Sequence, residues 1–89
     1  MIKYFNKNLK HIRGILNISQ QQIADEIKVD RSSISRWEKG EIDTPLEAAM
    51  NIADYFNIKY DCFFGKDLSR IKKEDLKIYS NNDLKKHYK

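Results

Sequence analysis

Cysteine occurs once in this 89-residue chain, proline once and glycine three times. No apolar run approaches the roughly 20 residues that a helix needs to cross a bilayer. Each shortage excludes something. A lone Cys62 closes no internal disulfide and completes neither a zinc cage nor a Cys-x-x-Cys redox pair, so a reducing cytoplasm is the expected setting. Met1-Ile2-Lys3-Tyr4-Phe5-Asn6 does not begin a signal peptide, and no membrane association is expected. His11 and His87 could be set beside Cys62 as a nucleophilic centre, but the chain supplies no third orienting group and no oxyanion loop. The reading is therefore of a protein that is not an enzyme, with no metal, cofactor or small-molecule substrate. Alternating strand patterns, internal repeats and low-complexity tracts are also missing.

What is present suffices for one small folded domain. Hydrophobic residues make up 40%, and one Trp, five Tyr and four Phe supply bulk that a disordered chain lacks. The net charge of +4 is unevenly placed. Residues 1–65 carry nine basic and nine acidic side chains, whereas residues 66–89 carry eight and four and so hold the whole excess. Within the neutral part, Lys3, Lys7, Lys10 and Arg13 make the start positive, while Glu41, Asp43, Glu47, Asp54 and Asp61 against Lys59 make residues 41–65 negative. An anion-binding face is expected toward the N-terminal two-thirds.

Phe5, Leu9, Ile12 and Leu16 recur at helical spacing and predict a first helix from about Tyr4 to Leu16, closed by Asn17. Ser19 with Gln22 reads as a capping box for a second helix from Gln20, its apolar face made by Ile23, Ala24 and Ile27. Lys28-Val29-Asp30 interrupts the pattern, and Asp30 caps a third helix, Arg31 to about Lys39, which Gly40 stops. Thr44-Pro45-Leu46-Glu47 reads as cap, first helical position and capping-box acid of a fourth helix. Its inward residues are Leu46, Ala49, Met50, Ala53 and Phe56, and Asn57 closes it. Tyr60 to Phe64 make a last short helix ending at Gly65. The fold class is all-α, with a compact five-helix domain over residues 1–65 and a basic tail over 66–89. Leu68, Ile71, Leu76, Ile78, Tyr79, Leu84 and Tyr88 fit no regular period, so the tail reads as a frayed extension, a DNA-tracking arm or a partner-binding and dimerising arm.

Two helices joined by a three-residue turn cross steeply, so the second projects from the body in a shape that suits a major groove. At about 100° per residue, Ile34 and Trp37 of the third helix point inward while Ser32, Ser35, Arg36 and Lys39 point outward, with nothing acidic among them. Short hydroxyls admit the helix close to base edges, and an arginine can bond a guanine bidentately. Arg13 and Glu38 each lie within about 60° of their own helix's apolar stripe, where a charge is tolerated only if paired.

Leu9-Lys10-His11-Ile12-Arg13, Ser19-Gln20-Gln21-Gln22-Ile23-Ala24-Asp25, Ser32-Ser33-Ile34-Ser35-Arg36-Trp37-Glu38-Lys39-Gly40, Pro45 and Ile52-Ala53-Asp54-Tyr55-Phe56 together resemble the Cro/repressor-type helix-turn-helix family. Its members are also called XRE-like or lambda-repressor-like regulators. The resemblance implies base contacts from Arg31, Ser32 and Arg36, flanked by Ser33 and Ser35, and phosphate contacts from Gln20, Lys39 and Thr44. It also implies that Arg13 and Glu38 form a structural ion pair. Two departures stand out: Lys28 occupies a turn position where the family often has glycine, and Glu41 and Asp43 make a usually basic loop acidic. The implied function is a sequence-specific double-stranded DNA-binding regulator acting as a homodimer, and a repressor. The rival reading is a protein-interaction subunit, antitoxin-like or adaptor, that uses the same body through its acidic face or its tail.

Overall fold

The computed structural model describes residues 3–81. Leu84, Lys85, Lys86, His87 and Tyr88 of the tail lie outside the described residues. The order is α1 (Phe5–Ile15), α2 (Gln20–Ile27), α3 (Arg31–Lys39), α4 (Leu46–Phe56), α5 (Tyr60–Gly65), a 3-10 turn (Lys73–Asp75) and α6 (Leu76–Tyr79). No strand occurs among the described residues, which pair in β fashion only at the isolated bridge between Ile58 and Ser80.

The apolar stripes meet at one core. Phe5, Leu9 and Ile12 from α1, Ile23 and Ala24 from α2, Ile34 and Trp37 from α3, Ala49, Ile52 and Ala53 from α4, and Phe63 from α5 are all buried. Each large side chain among them contributes about 1.5–3 kcal/mol by leaving water. Phe5 stacks on Phe63 with ring centroids 4.9 Å apart, which fastens the start of α1 to α5. α3 packs on both α1 and α2, while α4 packs on α2 and α5.

Local chemistry sets the helix ends. Ser19 and Gln22 make both bonds of a capping box: the Gln22 amide donates to Ser19 Oγ at 3.0 Å, and the Ser19 amide donates to Gln22 Oε1 at 2.7 Å. Asn17, Lys28, Asn57 and Gly40 all take the left-handed backbone that ends or follows a helix. Asp30 occupies the cap position of α3 without a side-chain bond.

Three expectations are corrected. Thr44 does not cap α4: it is buried, and its hydroxyl donates to Asn6 Oδ1 at 3.4 Å, so the extended Pro45 becomes the cap residue and the helix starts at Leu46. Leu46 is 54% exposed, not inward: it shares the phase of Ala49 and Ala53, but as the first residue of α4 it stands about a turn before the first buried position, Ala49. The core also does not stop at Gly65. Leu68 is 1% exposed within it, and Ile71, Leu76 and Tyr79 pack against it.

Residues 66–81 form a strap pinned at both ends. Asn8, fully buried on α1, donates through Nδ2 to the carbonyls of Phe63 and Lys66 at 2.8 and 2.7 Å and accepts from the Leu68 amide at 2.8 Å. The Phe63 carbonyl and the Leu68 amide, both buried, would otherwise be orphaned in a dry interior. His11 Nε2 lies 2.7 Å from the Ile71 carbonyl, which can only accept, so Nε2 carries the proton. Lys7 pairs with Asp67 at 3.5 Å, and the Ser69 hydroxyl beside Asp67 holds that carboxyl below its ordinary pKa. At the far end the Lys59 amide donates to the Tyr79 carbonyl at 2.9 Å and the Asn81 amide to the Asn57 carbonyl at 3.1 Å.

Candidate nucleic-acid interface

The unit α2, turn and α3 is built from the left-handed Lys28, with φ 64° and ψ 50°, and a half-buried Val29 that anchors the turn to the core. A side chain in that backbone region costs up to about 1 kcal/mol where glycine would be free, and the chain accepts it at Lys28. Burial of Ile34 and Trp37 fixes the rotation of α3 about its axis. Arg31, Ser32, Arg36 and Lys39 are thereby left exposed, with Ser33 and Ser35 half-buried beside them.

Glu38, the one acid of α3, is removed from that outward face by a polar lock. Arg13 Nε donates to Glu38 Oε2 at 2.7 Å and Arg13 Nη2 donates to Oε1 at 3.0 Å, a bidentate pair with side chains 19% and 4% exposed. Arg13 Nη1 also donates to the Ile18 carbonyl at 3.0 Å. Gln20 joins the lock, its Nε2 donating to Glu38 Oε1 at 3.0 Å, while its own Oε1 accepts from Arg31 Nη1 at 3.5 Å. The amide at the start of α2 is thus oriented by one helix neighbour and linked to the first residue of α3. The net result is an outward surface with exposed Arg31, Arg36 and Lys39 and an internally neutralised carboxylate.

The structure brings Gln20, Arg31, Ser35, Glu38 and Arg13 into one neighbourhood. It withdraws Thr44, whose side chain is 4% exposed and bonded to Asn6, so the phosphate role implied for it has no free hydroxyl behind it. Glu41 and Asp43 stand exposed just past the end of α3, where they oppose a polyanion. Cys62 is 6% exposed, and burial pushes its thiol above the ordinary range. No group of three or more His, Cys, Asp or Glu is placed to hold a metal ion, and no helix is long and apolar enough to cross a membrane, among the described residues.

Two residues that matter to this arrangement escaped the sequence reading. Asn8 sits one turn from Phe5 and beside Leu9, inside the apolar stripe of α1; a lone amide at such a position signals a buried bridge. Lys10 was read only as part of a positive stretch, yet it lines a cleft between α1 and α3.

Comparison with known proteins agrees with this geometry. A helix-turn-helix family profile matches residues 9–61. The chain is 29% identical over 85 residues to the helix-turn-helix transcriptional activator BcrR of Enterococcus faecalis, a match covering 94% of this chain and 40% of that protein. It is 36% identical over 56 residues to an uncharacterised helix-turn-helix transcriptional regulator of Methanocaldococcus jannaschii, covering 63% of this chain and 85% of that protein. The chain therefore spans well under half of the first relative's length and most of the second's. No solved structure matches it. With its helix pair, its acid-free outward face on α3 and a profile match over most of the chain, the protein belongs to the XRE-type helix-turn-helix family of DNA-binding transcription regulators.

Proposed function

We propose that the chain binds double-stranded DNA sequence-specifically as a homodimer, with α3 in the major groove, and acts as a repressor. Arg31, Ser32 and Arg36 are assigned to base edges, with Ser33 and Ser35 flanking them, and Gln20 and Lys39 to phosphates. The observation that carries this reading is the outward face of α3, where three cations and a short hydroxyl stand exposed while Glu38 is locked away by Arg13 and Gln20. A guanidinium on such a face fits the two acceptors of a guanine edge. One recognition helix reads only a few base pairs, so useful specificity calls for two half-sites about 34 Å apart, which a twofold dimer supplies. Repression needs no more than occupancy of a promoter. The Enterococcus faecalis relative is an activator, but more than half of that protein lies outside the match.

Selection from a random duplex pool tests the reading. The expected result is an enriched site with twofold symmetry, and a reporter carrying that site across its promoter should fall in expression. A pool that fails to enrich any duplex at low salt overturns the DNA-binding reading; co-purification of a protein partner in that case points to the interaction subunit.

A further inference from the structure

α1 and α3 meet over a cleft of about 180 Å³ lined by Lys10, Arg13, Gln20, Ser35, Glu38 and Lys39. Its charges are unequally committed. Arg13 is used up by Glu38 and the Ile18 carbonyl, and Glu38 is met by both Arg13 and Gln20, so the cleft holds no free negative charge. Lys10 and Lys39 are exposed and have no hydrogen-bond or ion-pair partner among the described residues, and neither has the half-buried Ser35 hydroxyl. Lys7, the next cation along α1, differs: it is paired with Asp67 at 3.5 Å and lies 5.9 Å from the Tyr4 ring centre.

Two uncommitted ammonium groups and a hydroxyl donor lining one cleft suit a phosphodiester oxygen. The geometry points to this cleft as the seat of one backbone phosphate of the bound duplex, held from α1 by Lys10 and from α3 by Lys39, with the Ser35 hydroxyl as a neutral donor. The inference rests on the DNA-binding reading above and deepens it. It moves Ser35 from the base edge to the backbone and makes α1 part of the binding surface. It also supplies a positive site to offset the repulsion from Glu41 and Asp43 beyond α3.

The test uses the full chain, the selected duplex, a random duplex, and a series of selected duplexes that each carry one uncharged methylphosphonate. Lys10→Met should lower the slope of log affinity against log salt by up to about one unit, since Lys39 still faces the shared phosphate, and weaken selected and random duplexes by a common factor. Lys10→Arg should restore the slope, and Lys7→Met should leave it unchanged because Lys7 is already paired. One methylphosphonate position should weaken the parent most, and Lys10→Met and Lys39→Met should each lose part of their sensitivity at that same position. Ser35→Ala should reduce sensitivity at that same position. A parental slope in Lys10→Met, an equal loss in Lys7→Met, or loss of sensitivity at different positions in the two lysine variants would each overturn the shared seat. In those cases the parent still binds and the DNA-binding reading survives. A parent that binds no duplex removes both.

Discussion

Replacing Arg13 by Met strips the Glu38 carboxylate, 4% exposed, of its bidentate partner and leaves it one donor, the Gln20 amide at 3.0 Å. Removing one member of a buried pair costs about 3–5 kcal/mol when burial is complete. Arg13 keeps 19% of its side-chain surface in water, which places the loss near the lower bound, at about 3 kcal/mol. Out of a total stability of about 5–15 kcal/mol that is a large share. For a domain of this size each kcal/mol shifts the melting temperature by roughly 4–8 °C, so Arg13→Met should melt roughly 12–24 °C below the parent. Glu38→Gln is milder, because Gln keeps an oxygen for the guanidinium and Arg13 retains the Ile18 carbonyl; about 1–2 kcal/mol is expected. Combining the two changes removes both charges and should recover part of the Arg13→Met loss. Circular dichroism melts with urea titrations at one pH measure all three proteins. If both single variants melt within about 1 °C of the parent, the lock contributes nothing to stability, and the argument from its burial is wrong.

Arg36→Ala should lose about 1–3 kcal/mol on the duplex bearing the base it reads and little on duplexes lacking it, whereas Lys39→Ala should weaken all duplexes alike; anisotropy titrations against single-base variants separate the two. Ending the chain after Gly65 should unfold or severely destabilise it, because Leu68 leaves the core and Asn8 loses the Lys66 carbonyl and the Leu68 amide; circular dichroism of the truncated chain reads this directly. Asn8→Leu in the full chain should cost about 2–3 kcal/mol in urea titration, since the buried Phe63 carbonyl and Leu68 amide lose their side-chain partner. Asp67 is held low in pKa by Ser69, so its contribution is fully present above the ordinary carboxylate range and is lost as pH falls below that range through the lowered pKa; Asp67→Asn should flatten that part of a melting-temperature against pH profile.

The parts of the fold written in short-range chemistry were readable from the chain. Phe5, Leu9 and Ile12 declare α1 by spacing, Ser19 and Gln22 declare the start of α2, and Ile34 with Trp37 orients α3. The strap was not readable, because residues 66–81 have little regular structure of their own and owe their placement to α1. The amide of Asn8 finds partners 55 to 60 positions away, and no local pattern announces a bond between a side chain and distant backbone. Thr44 misled for a related reason: its sequence neighbourhood fits a helix cap, but Asn6 on α1 competes for its hydroxyl. In the candidate interface, the periodicity of α3 placed Arg36 and Lys39 outward, whereas the link from Gln20 to both Glu38 and Arg31 depends on the packing of α2 against α3.

The long reach of Asn8 bears on how the chain matures during synthesis. Translation delivers α1 well before the partners of its buried amide: Phe63, Lys66 and Leu68 follow Asn8 by 55 to 60 residues. Contacts of such separation must wait for loop closure and slow folding relative to a local bundle. The nascent helices can form and jostle as they leave the ribosome, but the structure closes only when the strap has cleared the exit tunnel. Until then the amino-terminal helix stays unsealed, and a ribosome stalled before Leu68 would carry a chain that has every recognition residue and no stable platform to present them.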